Sequence, residues 1–191
     1  MSAVTMTALG TSVLALLCEK PMHPYEMYRL MLDRHEDRIV KVRPGSLYHT
    51  VARLADASLV ETVGTDREGG RPERTTYRVT PAGREALRSW IAENLGAPVN
   101  EYPRFPVALG EAHNLPLNEA IALLRTRIDA LQADVDTAAP LIAAATSRTL
   151  EAYLLDSVYL IEMARAEIGW LTRLVERLET KELTWPSEDR L

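Results

Sequence analysis

Apolar residues recur along the first part of the chain at the spacing of short helices, and prolines interrupt that spacing. Leu9, Val13, Leu16 and Leu17 share one helical stripe, which predicts a first helix from about residue 5 to residue 18. Pro21 and Pro24 stop it and restart the chain. His23 is placed as a cap and Pro24 at the first helical position, where its missing N–H costs nothing. This second helix should run to about residue 35, with Tyr25, Tyr28, Met31 and Leu32 on its buried side. After a β-like run, IVKV, Pro44 and Gly45 punctuate the chain and Ser46 stands near the start of a third helix. Leu47, Val51 and Leu54, spaced by four and three, must pack down. The opposite face then carries Ser46, His49, Thr50 and Arg53, with Tyr48 at its border and Arg43 just before it.

Two short runs rich in Val, Thr and Tyr follow, at residues 59–63 and 75–79. They enclose GTDREGGRPER, whose Gly-Gly and Arg-Pro pairs punctuate a hairpin tip. Arg67, Arg71 and Arg74 cluster there, although Asp66, Glu68 and Glu73 partly cancel them as in an ordinary solvated loop. Thr80 then caps and Pro81 opens a fourth helix with Leu87, Trp90, Ile91 and Leu95 on its apolar face. From Arg43 to Leu87 the order is helix, strand, basic tip, strand, helix, the order of a winged helix-turn-helix. Hydroxyls, an imidazole and a guanidinium on the free helix face suit base edges and phosphates in a major groove. Arginines on the tip suit the backbone or the minor groove.

Beyond the proline-punctuated link APVNEYPRFP the pattern becomes wholly helical. A short helix is expected over residues 107–113. A longer one follows in which Ile121, Leu124, Ile128, Leu131 and Val135 recur at threes and fours, a coiled-coil type of seam. Pro140 should kink or end it, with Leu141 and Ile142 packing just beyond. The last helix is expected from near residue 147, carrying Leu154, Ser157, Ile161, Ala164, Ile168, Leu171, Val175 and Leu178 along roughly 33 residues, a rod of about 50 Å. These stripes can pack on one another within a chain or exchange across a two-fold axis. Two reading heads on a palindrome must stand about one DNA turn, roughly 34 Å, apart. That requirement favours a dimer through Leu154, Ile161, Ile168, Leu171, Val175 and Leu178.

Charge sharpens the division. The 191 residues carry a net charge of −5. Residues 1–97 hold 13 Lys or Arg against 12 Asp or Glu, while residues 98–191 hold 9 against 15. A near-neutral first domain, 1–97, can therefore present a local basic face despite an acidic second domain, 98–191. No run of about 18 apolar residues suggests a membrane span, and the N-terminus lacks a signal-peptide pattern, so a cytoplasmic location is expected. The lone Cys18 sits in the apolar run SVLALLC and reads as a buried thiol. His23, His35, His49 and His113 are scattered, and no catalytic or metal-binding motif joins them. Neither an enzyme, a cofactor nor a metal site is expected.

The strings PGSLYHTVARLADASLVE and REGGRPERTTYRVTPAGREAL resemble the winged-helix signature of the PadR family of transcriptional regulators. Gly45, Ser46, Leu47 and Tyr48 match the G-S/T-L-Y start of its reading helix; Tyr77, Thr80 and Gly83 match the Y-x-x-T-x-x-G at its wing end. The likeness extends less sharply through YPRFPVALGEAHNLPLNEA to the long helices. His49 stands where the family often has proline, and Pro24 where it often has glycine.

The resemblance implies a mainly α chain: an N-terminal winged helix-turn-helix domain with a two-stranded β wing, then a C-terminal α-helical dimerisation domain. It implies a repressor that binds a palindromic operator in double-stranded DNA as a homodimer. Arg43, Ser46, Tyr48, His49, Thr50 and Arg53 would serve the major groove, and Arg67, Arg71 and Arg74 the flanking backbone. It also implies release by a small aromatic ligand. Trp90, Tyr153, Tyr159 and Trp170 are candidates to line a pocket for it, or simply to pack. The competing reading is a winged-helix protein-interaction module without specific DNA binding.

Overall fold

Capping residues fix where the helices of the N-terminal half begin. In the computed structural model, which describes residues 6–66 and 74–186, Thr7 accepts a hydrogen bond from Gly10 N (3.2 Å) and starts α1, Ala8–Glu19. His23 starts α2, Pro24–Asp33: its Nδ1 accepts from Tyr25 N at 3.0 Å while Glu26 returns a carboxylate oxygen to His23 N at 2.9 Å. Two orphan N–H groups are thus satisfied reciprocally, as in a capping box. Pro44 opens α3, Pro44–Asp56, which has no side-chain cap. Ser46 therefore does not cap it, and the fixed φ of Pro44 does the local work of starting the helix.

Strands β1, Val60–Asp66, and β2, Arg74–Val79, pair antiparallel from Val60↔Val79 to Asp66↔Arg74. A bulge between Thr62 and Gly64 leaves Val63 unpaired. The backbone of Met22, just ahead of α2, bridges Tyr77 through two 3.0 Å hydrogen bonds and so ties the hairpin to the helices. α4, Pro81–Gly96, starts at Thr80, whose hydroxyl accepts from Gly83 N (3.0 Å) and donates toward the carbonyls of Ser58 and Leu59. Gly83 has a steric reason to be glycine: a Cβ there would lie 2.1 Å from the Leu59 carbonyl oxygen. The T-x-x-G spacing is thus the joint that locks helix α4 onto the root of the wing.

One core serves this half. Val13, Leu14, Leu16 and Leu17 of α1 meet Met22, Met27 and Met31, Leu47, Val51 and Leu54, then Val60, Val79 and Leu87. Several sequence expectations shift in detail. Met27 fills the core where Tyr25 was expected, because Tyr25 in the first turn of α2 faces solvent. The IVKV run is not a strand, since no neighbouring strand pairs with it. It follows a 3₁₀ turn, Glu36–Arg38, and uses Val40 and Val42 as apolar anchors. Leu95 is exposed, because the apolar face of α4 runs past the core after Leu87.

The chain divides into two compact units, Met1–Asn100 and Glu101–Leu191. The second is a helical hairpin with attachments: α5, Arg104–Gly110, α6, Leu117–Thr146, and α7, Leu155–Glu179. Leu124 packs with Leu171, Val175 and Leu178; farther along, Val135 and Ala138 pack with Ile161. Arg127 stacks 3.6 Å over Phe105 and bonds Glu167 at 2.6 Å, joining all three helices. Trp185 donates to the Leu115 carbonyl at 2.9 Å and closes the end of the cluster.

Two expectations for the long helices are corrected. Of the two outcomes expected at Pro140, α6 does not end there but continues to Thr146. Pro140 is exposed, while Ala138, Ala139 and Ile142 on either side of it pack toward α7, which keeps the helix going despite the missing N–H. α7 starts at Leu155, not near residue 147, because a turn and a 3₁₀ segment, Glu151–Tyr153, occupy the interval. Its 25 residues span about 37 Å.

Candidate nucleic-acid interface

α3 separates its two faces sharply. Leu47, Val51 and Leu54 are fully buried, while Arg43, Ser46, Tyr48, His49, Ala52, Arg53 and Asp56 are exposed. The outward line runs through Gly45, His49, Ala52 and Asp56, with Tyr48 on one flank and Ser46 and Arg53 on the other. Ala52 was not singled out from sequence. It offers only a methyl group, the kind of surface that meets a thymine methyl. Lys41, exposed two residues before Arg43, was also passed over, although the K-x-R spacing ahead of the helix was a usable signal.

Thr50 is a correction. Its side chain is only 7% exposed, so it lies on the core side of the helix and not on its exposed face. Its Cγ2 faces Gly10 of α1 and packs against that helix. Threonine looks polar in a pattern, yet its methyl packs like valine's.

Neighbouring elements hold two of the exposed side chains. The Tyr48 ring meets the His23 ring edge-on, with centroids 6.3 Å apart and planes at 74°. The same histidine that caps α2 thereby braces Tyr48. Arg53 Nη2 donates to Thr7 Oγ1 at 3.4 Å. Ser46, His49 and Arg43 stand at or near the N-terminal end of α3, where the helix dipole favours anionic groups.

On the hairpin, Arg74 opens β2 opposite Asp66, while Arg67 and Arg71 lie outside the described residues. Arg78 is neutralised by Glu61, its cross-strand partner, at 2.7 Å. Arg34 is likewise held in a fork by Glu19 at 2.5 and 2.9 Å. That hydrogen bonding keeps the Glu19 carboxyl below its usual range and raises Arg34. The unpaired-looking cations of the sequence are thus sorted, some into ion pairs and some onto the α3 end of the unit.

In the second unit, Ile161, Leu171, Val175 and Leu178 are buried in the α6–α7 seam, Ile168 packs beside Ile161, and Leu154 is half-buried at the start of α7. The stripe expected for dimerisation is therefore covered by α6 of the same chain. Leu155, Tyr159, Met163 and Trp170 form a second apolar stripe on the opposite side of α7, all exposed. Tyr159 and Trp170 are about 16 Å apart along this helix, and Tyr153 projects from the preceding 3₁₀ turn. These three do not converge on one enclosure within their unit. Trp90 is half-buried on α4 of the first unit. Among the described residues no cluster of ligating side chains suits a metal ion, and no helix is long and apolar enough to cross a membrane.

Known structures share this architecture. Bacillus subtilis PadR in complex with operator DNA superposes with a TM-score of 0.76 at 16% identity, over 91% of this chain and 99% of that one. The same regulator in complex with p-coumaric acid gives 0.73 at 15%, over 91% and 99%. A PadR-like transcriptional regulator from Bacillus cereus gives 0.64 at 16%, over 93% and 99%. No curated protein matches the sequence. Residues 13–89, which run from the core of α1 through α3 and both strands into α4, match the Transcriptional regulator PadR-like family, and the chain accordingly carries a PadR-like family domain.

Proposed function

We propose that this protein is a sequence-specific transcriptional repressor that binds a palindromic operator as a homodimer and is released by a small aromatic compound. The observation that carries the reading is α3: a helix fully anchored by Leu47, Val51 and Leu54, presenting Ser46, Tyr48, His49 and Arg53 beside a hairpin, inside a PadR-like domain. Such a face matches the donors, acceptors and phosphates of a major groove. Arg43 and Lys41 supply cations beside it, and Arg67, Arg71 and Arg74 would serve the flanking backbone.

The PadR of Bacillus subtilis has been captured with operator DNA and with p-coumaric acid. By likeness of fold, we extend both ligand classes to this chain. The dimer rests on α7. With the inner stripe already paired to α6, the outer stripe of Leu155, Tyr159, Met163 and Trp170 is the surface that a second copy would cover. Tyr153, Tyr159 and Trp170 then become candidates for an aromatic ligand at or near that interface, where flat rings stack well. The acidic second unit suits this role, since it has no need to approach phosphates.

A footprint on the DNA flanking its own coding region, repeated with phenolic acids, tests the whole reading. Protection of two half-sites about one helical turn apart, lost when an aromatic acid is added, is the expected outcome. Absence of any protected duplex would favour a protein-interaction module instead.

A further inference from the structure

We infer that Thr7, the residue that caps α1, is a positioning residue for DNA recognition: it aims the Arg53 guanidinium of the reading helix. This rests on the proposed role of α3 in DNA binding. The Thr7 hydroxyl oxygen accepts from Gly10 N at 3.2 Å and from Arg53 Nη2 at 3.4 Å, which uses both of its lone pairs. One donor belongs to α1 and the other to α3, 46 residues later in the chain.

The contact follows from the packing beneath it. Gly10 and Thr50 meet where α1 and α3 cross, and both are buried. A Cβ on Gly10 would lie 3.3 Å from Thr7 Oγ1, tighter than usual, and at an ordinary 3.8 Å from Thr50 Cγ2, so the backbone at Gly10 lies beside both the cap hydroxyl and Thr50. Thr50 stands one turn before Arg53 on α3, and Thr7 stands one turn before Gly10 at the head of α1. The meeting of Gly10 with Thr50 therefore brings the cap hydroxyl beside the arginine. The Thr11 hydroxyl donates to the Thr7 carbonyl at 3.2 Å and fixes the cap residue itself.

An exposed arginine otherwise samples many rotamers, and ordering it on DNA costs conformational entropy. One of its five N–H donors held by Thr7 leaves four, including the rest of its planar fork, to meet a guanine edge or a phosphate. Preorganisation of this kind raises affinity without adding a contact to the DNA.

A double-mutant cycle tests the assignment, using the full-length protein and an operator duplex recovered by selection from random sequence. Thr7→Val removes the hydroxyl at nearly constant volume, Thr7→Ser keeps it, and Arg53→Ala removes the aimed group. Thr7→Val should weaken operator binding roughly two- to tenfold in the wild-type background, with no effect once Arg53→Ala is present. Thr7→Ser should retain wild-type affinity. Melting temperature should fall for Thr7→Val by the same amount in both backgrounds, since the cap on Gly10 is lost in each. Equal affinity losses in both backgrounds would show a cap that only stabilises α1 and would overturn the inference. An Arg53→Ala variant that binds the operator as wild type would overturn both the inference and the reading role of Arg53. If no duplex is selected at all, the DNA-binding reading itself falls.

Discussion

α3 and α7 each bury one stripe of apolar side chains, and they differ in what they leave outside. α3 hides Leu47, Val51 and Leu54 and exposes hydroxyl, imidazole and guanidinium groups. α7 hides Ile161, Leu171, Val175 and Leu178 and exposes a second apolar line, Leu155, Tyr159, Met163 and Trp170. An exposed polar face on a short, well-anchored helix suits a charged, hydrated partner. An exposed apolar face on a long helix suits another apolar surface. On the proposed reading, DNA falls to α3 and a second copy of the chain to α7.

The largest effect should come from breaking the inner side of α7. Leu171 is 0% exposed, so Leu171→Ala should cost about 2–5 kcal/mol through lost burial and the cavity left behind. Urea denaturation checks this, and a loss below about 1 kcal/mol would show that the seam is not the core of its unit. On the outer side, the pair Tyr159→Asp and Met163→Asp should leave the melting temperature of the fold nearly intact. It should halve the mass seen by sedimentation. A variant that still sediments as wild type would place the self-association surface elsewhere.

A smaller effect is expected at the joint of α4 with the wing. Thr80→Ala should lower stability by about 1 kcal/mol, because the Gly83 N–H loses its acceptor. An unchanged denaturation midpoint would mean that water caps α4 equally well.

The smallest concerns acid. Hydrogen bonding from Arg34 holds the folded Glu19 carboxyl below its unfolded value. Its stabilisation is therefore present above the unfolded carboxyl range and vanishes as pH falls through the folded value. Both partners are nearly half exposed, so Glu19→Gln should cost less than about 1 kcal/mol at neutral pH and nothing in strong acid. A difference that grows on acidification would contradict that sign.

What the chain discloses before folding is mostly periodicity and punctuation. Leu47, Val51 and Leu54, the His23 cap and the Thr80-Pro81 start could all be read, because each signal lies within a few residues of its consequence. Thr50 could not. It is buried against α1 near Gly10, 40 positions away in sequence and adjacent only where α1 and α3 meet. The continuation of α6 past Pro140 has a related reason: the local rule allows a kink or an end, and packing of Ala138, Ala139 and Ile142 toward α7 outweighs one lost hydrogen bond and excludes the end. The outer stripe of α7 was visible only in pieces. Tyr159 and Trp170 stand out in the sequence as aromatics, but their alignment with Leu155 and Met163 on one exposed side depends on α6 occupying the inner seam. The Arg53–Thr7 contact and the His23–Tyr48 brace are likewise long-range and leave no trace in spacing.

The central claim is that the exposed face of α3 reads DNA sequence. It is tested most directly by the ratio of affinities for a selected operator and a scrambled duplex, measured by fluorescence anisotropy across a salt series for the wild type and for His49→Ala. The account predicts a wild-type ratio of about 10³ or more, with affinity for both duplexes falling steeply as salt rises. It predicts that His49→Ala loses about 1–3 kcal/mol on the operator while leaving the scrambled duplex and the salt slope nearly unchanged. Equal wild-type affinity for the two duplexes, or a His49→Ala variant as selective as the wild type, would contradict it.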